Sequence, residues 1–199
     1  MRRGLTACAA LAATLALSGC GAMSAVGAVA DVASSALEAA GLKKPKDAPW
    51  DVDISIHAGN NLNASGGQSM ALVTKVYYLK NSEAFLRAPM QDFIDPERAK
   101  ATLGDALVGT RELPLTPGQK YQAVEKVPRE ATAVGLVALF HSPAPQRWKF
   151  VFDTKKAEDT GLVIGAHACA LTVSKGEALF APGAPKFDAS RLSPVQCGR

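Results

Sequence analysis

The clearest periodic stretch of the chain lies at residues 51–57, where apolar and polar side chains alternate strictly. A period of two is typical of a strand with one buried face. Residues 70–79 are apolar on both faces, as expected for a central strand. Between them, residues 59–69 are rich in glycine, asparagine and serine, which tolerate unusual backbone angles. The pattern therefore predicts two strands joined by a long loop.

Between residues 82 and 109 the period changes to one that permits short helices. Ser82 precedes Glu83, and Asp95-Pro96 places a capping residue and a first-turn proline at the start of a second helix. Strand patterns then resume, and further strands are predicted at 110–115, 120–126, 131–141, 147–153, 166–174 and 177–180. Eight short strands with a short helical insertion predict an all-β fold, a β-sandwich.

The N-terminus has a different pattern. Arg2 and Arg3 precede an uncharged, apolar run at residues 5–17, which is the layout of a secretory signal peptide. The run is shorter than the roughly 20 residues that span a bilayer. Leu17-Ser18-Gly19-Cys20 then resembles the lipobox of bacterial lipoproteins. This resemblance implies cleavage before Cys20, a diacylated thioether on its sulfur and a third acyl chain on its new amine.

Cys20 is therefore the expected lipid attachment site, because two acyl chains already hold a protein stably on a membrane. Gly21 follows it, whereas lipoproteins kept at the inner membrane use aspartate there. The expected location is the outer membrane, facing the periplasm. The alternative is a soluble exported protein with an incidental cysteine.

The predicted organisation is a signal peptide at 1–19, a lipidated N-terminus and flexible tether at 20–49, and a β-sandwich domain at 50–199. The tether has almost no large side chains to bury, so it is not expected to fold on its own. Removing Arg2 and Arg3 with the signal peptide lowers the formal net charge from +4 to +2. Because no basic stripe is present, a nucleic-acid partner is not expected.

The cysteines predict a covalent link near the C-terminus. Cys8 leaves with the signal peptide and Cys20 is acylated, so Cys169 and Cys197 remain. An even pair in an oxidising compartment predicts a disulfide. The alternative is a redox or metal role in which His167 and Cys169 present two ligands on one strand face. No second ligand pair has a matching spacing, so no metal site is predicted.

Catalytic motifs are missing from the sequence: G-x-S-x-G, H-E-x-x-H, the phosphate-binding G-x-x-x-x-G-K-[ST] and G-x-G-x-x-G do not occur. His57, His141 and His167 are far apart in sequence. If the fold brings His57 and His141 close to a carboxylate, a hydrolase is the alternative function. We predict no enzymatic activity and no cofactor. The aromatic residues at 148, 150 and 152 share one strand face and fit a packed core better than a ligand platform.

Several segments taken together resemble TssJ, the outer-membrane lipoprotein of the type VI secretion system. They are Leu62-Asn63, residues 70–80 (MALVTKVYYLK), Phe85, residues 103–105 (LGD), 113–118 (LPLTPG), 133–140 (AVGLVALF) and Arg147-Trp148. The resemblance covers residues 50 to about 180. It implies a transthyretin-like sandwich of two sheets with an added helical piece and no enzymatic activity. It also implies that the protein tethers the secretion membrane complex by binding the periplasmic domain of the inner-membrane protein TssM.

In that family the loop between the first two strands carries much of the contact, which corresponds here to residues 59–69. The residues expected to bind the partner are Asn60, Asn61, Leu62, Asn63 and Gln68, with Leu62 as the one large apolar anchor. The alternative is a simple hairpin connection, which the Gly66-Gly67 pair also suits. The other function hypothesis is a periplasmic ligand-binding lipoprotein with a pocket between its sheets. Val, Leu and Phe on the packing faces favour a filled interior instead, so no small-molecule substrate is expected.

Overall fold

The computed structural model describes residues 44–198. The predicted signal peptide, Cys20 and most of the predicted tether lie outside these residues. The compact unit that contains every element below begins at Asp47. Within the described part of the chain, no helix combines the length and the hydrophobicity needed to cross a membrane.

Eight strands form two four-stranded sheets. They are β1 (Trp50–Ala58), β2 (Leu72–Leu79), β3 (Leu107–Leu115), β4 (Lys120–Val127), β5 (Ala133–Ala138), β6 (Lys149–Asp153), β7 (Leu162–Ala166) and β8 (Leu171–Lys175). The first sheet has the order β4-β1-β7-β8 and the second has the order β3-β2-β5-β6. Neighbouring strands are antiparallel except β1 and β7, which are parallel. The predicted all-β, two-sheet sandwich is confirmed.

The alternation in the sequence decides which faces are buried. In β1, Val52, Ile54 and Ile56 are buried between the sheets while Asp53 and His57 are exposed. In β5 every residue is buried, because this central strand is covered on both faces. The predicted core role of the aromatic residues of β6 is confirmed for Phe150 and Phe152, which both lie in the core between the sheets.

The helical insertion lies between β2 and β3 and packs on the outer face of the second sheet. It comprises α1 (Glu83–Arg87), α2 (Gln91–Ile94), α3 (Pro96–Leu103) and a 3₁₀ turn at Gly104–Ala106. Asp95 caps α3 as predicted, since its side chain accepts the N–H groups of Glu97 and Arg98. Phe85 and Phe93 fill a second core against Tyr77 of β2.

Lys149 fastens this insertion to the edge of the second sheet. Its Nζ donates to the carbonyl oxygens of Phe85, Leu86 and Ala88 at 2.5, 3.0 and 2.6 Å. The carbonyls at the end of a helix lack partners within it, so Lys149 satisfies groups that α1 leaves open. Its Nζ also lies 4.8 Å from the centroid of the Trp148 ring. Burial lowers the pKa of Lys149 to about 8.

The structure of the C-terminal third differs from the prediction in three places. Residues 154–160 form an unpredicted helix, α4 (Thr154–Thr160), whose short polar sequence buries only Thr154 and Ala157. Of the strand predicted at 166–174, residues 171–174 belong to β8 and residues 167–170 form a turn, while β7, which ends at Ala166, lies almost entirely before the predicted range. The segment predicted as a strand at 177–180 makes a single bridge, between Phe152 and Ala178, because its chain leaves the sheet edge at once.

Residues 177–198, which we call the C-terminal strap, cover one open side of the sandwich. The N–H of Leu179 donates to the carbonyl of Val151 in β6 at 2.8 Å, and the N–H of Val173 in β8 donates to the carbonyl of Ala189 at 2.9 Å. The predicted disulfide between Cys169 and Cys197 is present, with the two Cα atoms 5.5 Å apart. The strap therefore covers the edges of both sheets, and Cys169 is not available as a metal ligand.

A buried carboxylate lies on the opposite side, between the edge strands β3 and β4. Glu125 is 1% exposed and accepts hydrogen bonds from the hydroxyl groups of Tyr78 and Tyr121 at 2.9 and 2.8 Å. Nη1 of Arg111 donates to the same carboxylate at 2.7 Å. Burying a carboxylate is costly unless it is paired and hydrogen-bonded, and these three donors meet that condition.

Removing the disulfide is expected to destabilise the domain by about 3.5 kcal/mol, the chain-entropy value for a loop of this length. The cysteines are 28 residues apart in sequence. Urea unfolding of Cys197→Ser, compared with the exposed control Ser193→Ala, measures this loss. Equal stability of the two variants would contradict a structural role of the bridge.

Stability is expected to fall at alkaline pH through Tyr77. Burial raises the pKa of Tyr77 from 10.0 to about 12. Because the pKa is higher in the folded protein, the unfolded chain loses the phenolic proton first as the pH rises. The contribution of Tyr77 to the free energy of unfolding is therefore complete below pH 10 and declines by about 1.4 kcal/mol per pH unit as the pH rises toward 12. Urea unfolding of wild type and Tyr77→Phe between pH 8 and 11 tests this. The expected result is a shallower decline for the variant, and parallel curves would show the expectation to be wrong.

Candidate partner-binding loop

Four connections meet at one end of the sandwich, which we call the loop end. They are the β1–β2 loop at 59–71, the β3–β4 turn at 116–119, the β5–β6 loop at 139–148 and the β7–β8 turn at 167–170. Backbone hydrogen bonds join them: the N–H of Gly118 donates to the carbonyl of Gly59, and that of Asn63 donates to the carbonyl of His167. The β1–β2 loop is thus supported by its neighbours.

Two buried residues hold the base of the β1–β2 loop. Leu62 has no exposed surface and lies in the core between the sheets. Asn63 is 7% exposed; its Nδ2 donates to the carbonyl of Ala71 and its Oδ1 accepts the N–H of His141, both at 2.8 Å. Asn63 has a φ of 49°, a conformation that asparagine adopts more readily than most residues.

This geometry corrects two of the predicted contact residues. Leu62 was expected to be an apolar anchor for a partner, but its side chain completes the protein's own core. Asn63 also points inward, where it joins the loop to the β5–β6 connection. A large apolar residue in a polar loop carries the same sequence signal whether it faces a partner or the core, so the sequence could not separate the two.

The other predicted contact residues face solvent. Asn60, Asn61 and Gln68 are exposed, as is Ser69, whose Oγ donates to the carbonyl of Asn60 at 2.7 Å. The tip is a tight turn in which the backbones of Ser65 and Gln68 exchange hydrogen bonds of 2.9 and 3.0 Å. The glycines between them have positive φ angles of 57° and 80°, as such hairpin turns require. The hairpin interpretation of the whole connection is wrong, because β1 and β2 lie in different sheets; only the tip has a hairpin turn.

The loop end contains few charged residues. None of its four connections contains Asp or Glu. Its buried Arg147 lies 4.1 Å from the Phe187 ring centroid and donates to the carbonyls of Asp188 and Ala189. Burial lowers the pKa of His167, whose Nε2 lies 3.0 Å from Oγ1 of Thr172. The exposed surface here offers amides, hydroxyls and imidazoles rather than carboxylates.

The histidines do not assemble a catalytic group. Ser55 Oγ and His57 Nε2 lie 3.1 Å apart on the exposed face of β1. Among residues 44–198, no carboxylate hydrogen-bonds to an imidazole, so the pair lacks the third member of a triad. In the same residues, no cluster of three or more His, Cys, Asp or Glu side chains is suited to a metal ion.

An aromatic cavity of about 230 Å³ lies beside β6, between α1 and the C-terminal strap. Phe85, Trp148, Phe180 and Phe187 contribute to its walls. The space between the two sheets is filled by the main core. The ligand-binding hypothesis predicts a pocket between the two sheets, and that space is occupied by core side chains.

These features define a small all-β module that presents a loop end without carboxylates. A family model described as type VI secretion lipoprotein, VasD, EvfM, TssJ, matches residues 51–169. The chain belongs to this family of type VI secretion lipoproteins. The matched region ends before β8 and the C-terminal strap.

Solved structures have the same fold. The chain is similar to the lipoprotein TssJ1 from Pseudomonas aeruginosa, with 29% identity over 66% of this chain and 99% of that one and a TM-score of 0.56. It shares its fold with Serratia marcescens Lip, a membrane-bound component of the type VI secretion system, at 20% identity, 63% and 97% coverage and a TM-score of 0.53.

A further fold match is a chain of the structure described as the T6SS protein TssM C-terminal domain from EAEC. Its identity is 22%, its coverage is 62% of this chain and 96% of that one, and its TM-score is 0.53. A search of the curated proteins found no match. The transthyretin-like sandwich implied by the sequence resemblance is confirmed by these matches.

Leu62→Ala is expected to lower the free energy of unfolding by about 2–5 kcal/mol, since it empties a fully buried site. Asn61→Ala in the same loop is exposed and should change it by no more than about 0.5 kcal/mol. Urea unfolding of both variants makes the comparison. Equal effects would mean that Leu62 is not a core residue.

Proposed function

We propose that this lipoprotein is anchored in the outer membrane by acyl chains on Cys20 and tethers the type VI secretion membrane complex by binding the periplasmic domain of TssM. Family membership and the lipobox support the proposal. The structural observation that carries it is the β1–β2 loop, in which buried Leu62 and Asn63 fix the base while Asn60, Asn61 and Gln68 remain exposed.

A loop held in this way suits a protein partner. Ordering a mobile loop on binding costs free energy, and a loop already fixed by core packing avoids much of that cost. The amide side chains of Asn60, Asn61 and Gln68 can each donate and accept hydrogen bonds. Because these side chains are uncharged, the affinity should depend weakly on salt.

The anchor and the docking surface are separated along the chain. The segment between Cys20 and Trp50 spans at most about 100 Å when fully extended. That length lets the domain reach a partner in the periplasm while the acyl chains stay in the membrane.

A periplasmic ligand-binding lipoprotein is the second candidate, and the aromatic cavity beside β6 is the observation that favours it. Its volume of about 230 Å³ is below the roughly 300–1,000 Å³ of ordinary small-molecule sites, and the larger clefts of about 600 and 390 Å³ have at most one aromatic residue in their walls. The tethering function therefore fits the described geometry better.

The docking proposal is tested with the full chain carrying Asn60→Ala, Asn61→Ala and Gln68→Ala together. Titration calorimetry with the TssM periplasmic domain should show at least about tenfold weaker binding, equivalent to roughly 1.4 kcal/mol. The matched control is Lys155→Ala with Asp159→Ala, two exposed residues on α4 at the opposite end. Undiminished binding by the triple variant, or an equal loss in the control, would contradict docking through this loop.

The anchoring proposal has its own test. Cys20→Ser should move the protein from the outer-membrane fraction to the soluble periplasm and abolish type VI secretion, while mass spectrometry shows acyl groups on the wild-type protein alone. Full secretion by an unacylated, soluble Cys20→Ser protein would mean that anchoring is not its role.

A further inference from the structure

Two of the four sheet edges are occupied by the protein's own backbone. The strap residue Leu179 bonds to β6, and the strap residue Ala189 accepts a hydrogen bond from β8. Backbone groups left open on a sheet edge attract other strands, and covering them is the usual protection. The strap gives this protection at one side of the sandwich, whereas β3 and β4 form the edges at the other side.

The edge of β3 is protected by a proline. The carbonyl of Val73 in β2 accepts the N–H of Leu139, so the backbone of Val73 points away from β3. Pro114, which is directly opposite Val73, therefore directs its backbone to the free edge. Proline has no N–H, and its position on an edge strand removes one donor that an incoming strand would need.

The edge of β4 has no such protection. The N–H of Ala58 donates to the carbonyl of Gln119, and this bond fixes the alternation along the β1–β4 ladder. Tyr121 and Ala123 accordingly point their backbone groups at β1, whereas Gln122 and Val124 point theirs to the free edge. Within residues 44–198, no other strand pairs with this eight-residue edge, and its sequence contains neither proline nor glycine.

We propose that the free edge of β4 binds an extended segment of another protein, which adds a fifth strand to the first sheet. The side chains that accompany the free backbone groups define the chemistry of that segment. Val124 is 51% exposed, although it is apolar. Lys120 is exposed at one end of the edge, and Lys126 lies at the other end with 65% of its side chain exposed. The fitting segment has an apolar residue opposite Val124 and carboxylates opposite both lysines, with the stronger preference opposite Lys120 because Lys126 is already paired with Asp51 at 2.6 Å.

A second copy of this chain fits poorly. Antiparallel pairing of two β4 edges with full overlap places Lys120 of each copy opposite Lys126 of the other. Like charges directly opposite each other destabilise a strand pair, and a twofold axis would repeat the clash. Lys126 forms an ion pair with Asp51 at 2.6 Å, which reduces its share of the repulsion. Within residues 44–198, Lys120 forms no ion pair with a carboxylate, so its charge is not compensated in this way.

The experiment uses the full chain in detergent and a short synthetic peptide matched to residues 120–126. The peptide has glutamate at both ends, valine third from its amino end and threonine elsewhere. Residue-resolved hydrogen exchange should show the amides of Gln122 and Val124 exchanging at least about tenfold more slowly with saturating peptide. The amide of Ala123, already bonded to β1, is the internal control and should not change.

Val124→Pro removes one free-edge donor and leaves the ladder with β1 intact, so it should abolish peptide binding. Val124→Thr keeps the N–H and the branched shape and should bind within a few-fold of wild type. Replacing both glutamates of the peptide by lysine should weaken binding by at least about tenfold. Binding without protection at Gln122 and Val124, or equal binding by Val124→Pro, would overturn the proposal.

Two further outcomes also overturn it. Protection that appears without peptide and grows with protein concentration would assign the edge to a second copy. Protection of the free chain at every concentration would assign it to another segment of the same chain. Because the experiment contains no TssM, none of these results depends on TssM binding at the loop end.

Discussion

A sandwich of two four-stranded sheets has two open sides, and the stability of this domain depends on closing both. The β3–β4 side is closed by a polar group: the carboxylate of Glu125 collects the donors of Tyr78, Tyr121 and Arg111. The β6–β8 side is closed by the C-terminal strap, with Phe187 packed on Phe150 and the disulfide fixing its far end. One closure depends on hydrogen bonds between sheets, and the other depends on a covalent bond and aromatic packing.

The candidate docking surface is a product of the same frame. Leu62 packs in the core, and the Asn63 side chain bonds to the end of its own loop at Ala71 and to His141 of the β5–β6 loop. These contacts restrict the conformation of the β1–β2 loop. Its exposed amides can therefore vary in chemistry without disturbing the sheets. The family relationship and this arrangement both agree with the proposed role of attaching a partner.

Much of the fold could be predicted because its signals are local. The alternation of β1, the apolar β5 and the Asp95-Pro96 helix start each depend on a few neighbouring residues. The missed elements lack that signal: α4 is short and polar, and a turn interrupts the apolar run of β7 and β8. The inward direction of Leu62 and the burial of Glu125 depend on contacts across the two sheets. Such contacts cannot be read from a single sequence without the topology.

The position of β1 has a mechanical consequence. β1 is the first strand of the described residues, yet it lies inside its sheet, paired with β4 over eight register positions and with β7 over five. When the loop end is held by a partner, a pull on the chain before Trp50 acts along β1 and loads both ladders in shear, so many hydrogen bonds resist together instead of breaking one at a time. β7 comes late in the chain, so this resistance to force is complete only after residues 162–166 have folded.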